Sequence, residues 1–328
     1  MNILLTNECN RRCPYCFAGE RISFATDGGE GDTRPEAPRF ISVENFIKAL
    51  DFAKKSHLKR ISLLGGEPSL HPDFPGLIQQ AWDEGFYVTV FSNGMWREEA
   101  IGFVEKAGEE CQNRLNIVLN INHPSETTER ESTAQHQLLS RIGTRCNLSF
   151  NIYREDFAPF FLIDIIQKYR CVKNIRLGVA VPLARHDSNH VDVERYAQLT
   201  PAILDLAKKC DEHDILLGFD CGFLFCMFTP EQMGYLQFWG AHFKSTCGPA
   251  IDIGTDLSVW SCFPLSTFSR GVNLDEFGDI EDLVKHFNKQ FERLFRAGAM
   301  EKCAGCKYRR REQCIGGCAA HVYRRLNP

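Results

Sequence analysis

The chain has 328 residues, 44% of them hydrophobic and 24% charged, which is enough to bury a full core and too apolar for a disordered chain. Its 38 basic and 42 acidic residues leave a net charge of -4, against the basic excess of a nucleic-acid binder or a membrane-surface protein. No apolar run reaches the length of a membrane span, and the opening MNILLTNECN has no signal-peptide pattern, so a cytoplasmic location is expected. In that compartment structural disulfides are rare, and the 15 cysteines read as metal ligands, catalytic groups or small buried residues.

In chain order, Ile3 to Leu5 is a short apolar strand, and ISVENFIKALDFAKK has helical spacing, with Ser42 as N-cap and Glu44 close behind. RISLLGG, FYVTVFSNG, LNIVLNIN, NLSFNIY and IRLGVAVPL are further strands. Helices are expected at FPGLIQQAWDEG, REEAIGFVEKAG, 129–142, 158–170 and VERYAQLTPAILDLAKKC. Repeated strand-helix units predict a parallel sheet with right-handed crossovers; six of them make an α/β fold of the partial (β/α)6 TIM-like barrel kind. Beyond about residue 215 the pattern changes: ILLGFDCGFLFC is strand-like, AIDIGTDLSVWSCF forms a hairpin around Gly254 and Thr255, and IEDLVKHFNKQFERLFRAG is one amphipathic helix. Two domains are therefore expected, 1–215 and 216–328. The segment Gly19 to Pro38, rich in Gly, Asp and Pro, reads as a mobile surface loop.

Cysteine positions are uneven. Cys111, Cys146, Cys171 and Cys210 are scattered and read as packing residues. Cys9, Cys13 and Cys16 are spaced C-x3-C-x2-C, short enough to bring three thiolates around one inorganic cluster. A four-iron cluster held by three cysteines keeps one iron open to a small molecule. A zinc site is the alternative, but no nearby histidine completes its tetrahedron.

On these residues the chain resembles the radical SAM superfamily, whose members carry CxxxCxxC here with an aromatic residue before the last cysteine, in this chain Tyr15. Gly65-Gly66-Glu67-Pro68 at the end of the second strand is similar to the family's GGEP motif, which the resemblance assigns to the amino group of S-adenosylmethionine. Glycines allow close backbone approach, and a carboxylate can pair with an ammonium. By the same resemblance, Ser92-Asn93-Gly94, Asn120 and Asn122 at later strand ends face the ribose and the amino-acid end. Arg176 faces the carboxylate, and the Leu177 to Val179 backbone meets the adenine. The implied chemistry is reductive cleavage of S-adenosylmethionine to methionine and a 5'-deoxyadenosyl radical, which takes a hydrogen from substrate, with electrons from a donor such as flavodoxin or ferredoxin.

The tail carries Cys247, Cys262 and then C-x2-C-x7-C-x3-C at Cys303, Cys306, Cys314 and Cys318. This resembles the SPASM extension of radical SAM enzymes, which holds two auxiliary 4Fe-4S clusters. The resemblance groups Cys247, Cys262 and Cys318 on the first and Cys303, Cys306 and Cys314 on the second. Seven residues stand where five are usual, and no cysteine follows Cys318. The tail therefore holds one cluster, in the manner of the shorter twitch extension, or two, the second with an open iron or a non-cysteine ligand. Cys226, or else Cys221, is expected as a fourth ligand to the first. A four-cysteine zinc site on Cys303, Cys306, Cys314 and Cys318 is the competing reading. The basic run KYRRR is either a solvated loop face, a counter-charge to a cluster, or an attractor of acidic substrate.

The expected function is radical modification of a peptide: crosslink, thioether, epimer or oxidised side chain. Cys9 leaves no room for a leader-binding domain before it, so a separate recognition protein or docking at the sheet edge is expected. The alternatives are a dehydrogenase or related enzyme acting on a small molecule such as a sugar alcohol, and a cluster-bearing sensor that never cleaves the cofactor. No nucleic-acid or membrane partner is expected. Cys221, Tyr153 and Glu155 are candidates for acid-base work by position alone.

Overall fold

The computed structural model describes residues 1–19, 21–24, 37–184, 188–243, 250–269 and 271–327. The expected loop at 19–38 and the ligand candidate Cys247 therefore fall largely or wholly outside the described residues. The strands are β1 (Asn2–Thr6), β2 (Glu8–Cys9), β3 (Ser23–Phe24), β4 (Arg60–Gly65), β5 (Tyr87–Ser92), β6 (Leu115–Asn120), β7 (Cys146–Ile152), β8 (Asn174–Val179), β9 (Leu216–Phe219), β10 (His242–Phe243), β11 (Ile251–Ile253) and β12 (Val259–Ser261). The helices are α1 (Val43–Lys55), α2 (Phe74–Asp83), α3 (Glu98–Lys106), α4 (Glu109–Gln112), α5 (Glu129–Ile142), α6 (Phe161–Tyr169), α7 (Thr200–Glu212), α8 (Pro230–Phe238), α9 (Ile280–Ala297), α10 (Lys307–Arg310) and α11 (Ala319–Leu326).

The main sheet runs β10-β9-β8-β7-β6-β5-β4-β1-β11-β12 and does not close. Every neighbouring pair in it is parallel except the hairpin β11–β12. The six expected strand-helix units supply its middle. Strands after residue 215 extend both edges: β10 pairs with β9, and β11 pairs with β1 through Asn2 and Asp252.

Strand residues bury both faces, as a parallel sheet requires. Ile3 and Leu5 join the large core under the helices, whereas Leu4, on the opposite face, packs with Ala18, Ile22, Trp260 and Phe263 in a small second core. Cys9 and Cys16 border that second core, so the cysteine loop rests on an apolar floor. The large core also takes in Leu283, Phe287 and Phe291 of α9 and Val322 of α11. The late helices thus share one interior with the barrel units.

Ser42 caps α1, its Oγ accepting from Asn45 N at 3.1 Å. Two expectations are corrected. The single helix over 193–210 is a 3-10 segment, Val193–Leu199, followed by α7. Pro201 lacks the N–H that would bond back to Ala197, so α7 starts there, and Thr200 Oγ1 donates to Ala197 O at 2.9 Å instead. The expected strand ILLGFDCGFLFC keeps only Leu216–Phe219; Gly222 at φ +98° turns the chain into a 3-10 segment at Phe225–Met227.

Candidate active site

The C-terminal ends of the parallel strands gather the polar residues singled out by sequence. Past β1 the chain enters β2, which carries Cys9, and the turn Cys13–Cys16 is closed by Cys16 N donating to Cys13 O at 3.1 Å. The Gly65–Glu67 backbone docks on this segment: Gly66 N donates to Thr6 O at 3.1 Å and Glu67 N to Glu8 O at 2.8 Å. A Cβ on Gly66 would stand 2.0 Å from Glu8 O and 2.6 Å from Cys9 N. Only glycine allows this approach.

Glu67 is fully buried, and its carboxylate serves the fold. It accepts from Ser69 Oγ at 2.7 Å, Ser92 Oγ at 2.9 Å and Asn93 N at 2.8 Å. Ser92 Oγ in turn accepts from Trp96 Nε1 at 2.7 Å and Gly94 N at 2.9 Å, which fixes its proton toward Glu67. Burial raises the Glu67 carboxyl above its ordinary range, against the pull of these donors. With the carboxylate so engaged, what this motif presents next to the cysteines is backbone.

Tyr15, Asn120 and Asn122 form one network. The Tyr15 hydroxyl donates to Asn122 Oδ1 at 2.5 Å and accepts from Asn120 Nδ2 at 2.8 Å, and Asn120 Oδ1 accepts from Asn151 Nδ2 at 2.9 Å. The Tyr153 ring lies 5.0 Å from that of Tyr15. Arg176 is paired with Asp220 and also reaches Ser149 Oγ at 3.4 Å. Glu155 is held by Arg195 at 2.7 Å.

Residues 3–145 match the description of the Radical SAM superfamily. Similarity extends to 7-carboxy-7-deazaguanine synthase of Aquifex aeolicus (33% identical over 104 residues, 31% of this chain and 41% of that protein). It also extends to the S-adenosylmethionine-dependent nucleotide dehydratase of Selenomonas ruminantium (30% identical, 29% of each chain). The matched segments thus span less than half of either relative. Among solved structures the fold is similar to anSMEcpe with bound AdoMet (TM-score 0.64, 16% identity, 97% of this chain and 85% of that one). It is similar as well to Streptococcus suis SuiB bound to precursor peptide SuiA (TM-score 0.61, 14% identity, 86% and 63%).

The residues of the matched stretch fit an iron-sulfur cluster at the β2 loop. Three sulfur donors, the ligand type such clusters take, lie close enough to act on one another: burial raises the Cys9 thiol first, and Glu67, Cys13 and Cys16 add to it. Cys16 is pushed up to about 11, mainly by burial. Asn93 Nδ2 approaches Cys9 Sγ at 3.9 Å, a weak donor to sulfur. Among the described residues no three His, Cys, Asp or Glu side chains close to single-ion spacing, so the grouping of thiols is read from their neighbours.

Sequence reasoning passed over Arg11, which is 5% exposed. It donates to Asn120 O at 3.0 Å and pairs with Glu131 at 3.1 Å, while Glu131 also closes the capping box of α5 with Thr128. Burial raises the Cys13 thiol, and the Arg11 guanidinium opposes that rise. The Thr128-Glu131 spacing was the available signal, since T-x-x-E before an apolar run marks a capping box.

In the tail, Cys318 stands as N-cap residue of α11, and Cys262 follows β12 at φ +67°. Arg309 of KYRRR donates to Phe295 O at 3.0 Å and Arg296 O at 2.6 Å. It thereby binds the last carbonyls of α9, where a cation also meets the favourable end of the helix dipole.

Proposed function

We propose that the chain is a radical SAM enzyme that cleaves S-adenosylmethionine reductively and uses the resulting radical to take hydrogen from a peptide. The observation that supports this is the docking of Gly65–Glu67 backbone onto Thr6 and Glu8, beside Cys9 in the chain. Cys9, Cys13 and Cys16 would hold the cluster, whose chemistry when bound is delivery of one electron to the sulfonium. Gly65 and Gly66 would offer backbone to the amino end of the cofactor, and Asn120, Asn122 and Tyr15 an ordered polar wall. Arg11, Glu67 and Ser92 keep that wall in place. Arg176 would reach the cofactor carboxylate only by sharing itself with Asp220. Residues 216–328 would form the auxiliary-cluster part, and flavodoxin or ferredoxin would supply the electrons.

The peptide assignment is supported by structural neighbours whose described complexes contain peptides, SuiB with SuiA and anSMEcpe with a Cp18Cys peptide, the latter overlapping 97% of this chain. A second reading has its own observation. Sequence relatives carry names of nucleotide chemistry, including a probable GTP 3',8-cyclase of Methanococcus vannielii, 27% identical over 220 residues, which favours a small-molecule substrate. The test is anaerobic reconstitution with iron, sulfide, S-adenosylmethionine and dithionite. The expected product is 5'-deoxyadenosine, lost in Cys13→Ala; its absence with the cluster intact refutes the enzyme reading. Stimulation of turnover by short peptides encoded beside the gene, and not by nucleotides, separates the two substrates.

A further inference from the structure

The tail resemblance groups three thiols, Cys303, Cys306 and Cys314, on one site. Folding brings a fourth cysteine toward them from upstream. The 3-10 segment Phe225–Met227, with its N-cap Leu224, follows β9 and lies against the tail at two points within the cysteine run, one on each side of Cys314. On one side the Phe225 ring stacks on Tyr308, two residues past Cys306, at 5.3 Å and 29°. On the other, a Cβ at Gly317 would sit 3.5 Å from Leu224 Cδ2. Cys226 is adjacent to both contact residues' segment and is solvent-exposed.

The tail thiols are themselves drawn together. Ala299 N donates to Gly316 O at 2.7 Å, and Cys303 Sγ lies 3.8 Å from the same oxygen. Cys314 Sγ accepts from Gly316 N at 3.3 Å, and Cys306 N donates to Cys303 O at 3.3 Å. The thiols that act electrostatically on Cys226 are Cys314, Cys303 and Cys306, opposed by Lys302.

We propose that Cys226 is the fourth ligand of one site with Cys303, Cys306 and Cys314, a four-thiolate site of the kind that holds a 4Fe-4S cluster. This moves Cys226 from the group of Cys262 and Cys318 to the group of Cys303, Cys306 and Cys314. It rests on the reading of the tail as a cluster-bearing extension, and not on the cleavage of S-adenosylmethionine. Loading would require all four thiols to lose their protons. A site with four protein ligands has no open iron, so its role is electron transfer or structure rather than substrate binding.

The experiment uses the full chain carrying Cys9→Ala, Cys13→Ala and Cys16→Ala, reconstituted anaerobically with iron and sulfide, so that only tail metal is counted. Adding Cys226→Ala is expected to remove about four irons and four sulfides per chain, the content of one cubane, or to leave a three-iron EPR signal. In the parent, alkylation read by mass spectrometry should find Cys226 protected when loaded and released together with Cys303, Cys306 and Cys314 on chelation, while exposed Cys221 reacts throughout. Unchanged iron in the Cys226 variant, alkylation of loaded Cys226 as fast as Cys221, release of Cys226 with Cys262 and Cys318, or zinc bound without sulfide each overturns the proposal. A tail that takes up no metal overturns the cluster-bearing reading itself, and 5'-deoxyadenosine formation by the wild-type chain reports separately on the first site.

Discussion

The Tyr15 hydroxyl donates to Asn122 Oδ1 at 2.5 Å across 107 residues of sequence, tying the cysteine loop to the end of β6. Tyr15 is buried, at 5% exposure, so Tyr15→Phe leaves the Asn120 and Asn122 amides short of a partner away from water. The expected cost is about 1–3 kcal/mol of unfolding free energy, with weaker binding of S-adenosylmethionine. Urea unfolding of the metal-free variant checks the first part; a change below about 0.5 kcal/mol, under the usual worth of one hydrogen bond, would mean that the network is not holding the loop.

Glu67 accepts from two backbone N–H groups, Asn93 N at 2.8 Å and Ser69 N at 3.3 Å, and from the Ser92 hydroxyl oriented by Trp96 and Gly94, none of which can reverse. Glu67→Gln sets an amide N–H against either Asn93 N or Ser69 N. It should destabilise by about 1–3 kcal/mol, even though it relieves the burial of a carboxylate. A variant as stable as wild type would show that burial, not donor matching, dominates this site.

Gly66→Ala and Gly234→Ala make a contrasting pair. At Gly66 the new methyl meets Glu8 backbone at 2.0 Å, whereas at Gly234, exposed in α8, nothing lies within 4 Å. The first should displace the cysteine loop and lower iron content after reconstitution. The second should be neutral or stabilising by up to about 1 kcal/mol through helix propensity. Equal iron content in both variants would rule out the docking role of Gly66.

Asp252 of β11 is 1% exposed and accepts from Asn2 Nδ2 of β1 at 2.7 Å. Burial raises its carboxyl from 3.8 to about 7, against the pull of Asn2. A raised folded value means that the native state binds the proton more tightly, so this stabilisation is full below the unfolded value and is lost as pH rises through about 7. The span of about three units corresponds to roughly 4 kcal/mol. Asp252→Asn should flatten the stability profile between about pH 4 and 7 and be the more stable chain above it; parallel guanidinium titrations at both ends of that window decide.

Local sequence determined the strand-helix units, the N-cap at Ser42, the three-cysteine spacing and the glycines of GGEP, because each of these is a rule about neighbours in the chain: periodicity, turn geometry, or ligands within one short loop. It also marked Tyr15, Asn120 and Asn122 singly. What it left unsettled were partners set by distance in space. The Tyr15-Asn122 bond, the Arg11-Glu131 pair, the inward turn of Glu67 and the Arg176-Asp220 pair all join residues whose separation along the chain carries no signal. Asp252 is unremarkable until β11 is laid beside β1, where burial gives it an altered proton affinity. The cysteines divide the same way. Composition and spacing made them conspicuous, while only the packing of Phe225 on Tyr308 and of Leu224 against Gly317 brought the Cys226 segment against the tail, because proximity in space does not follow order along the chain.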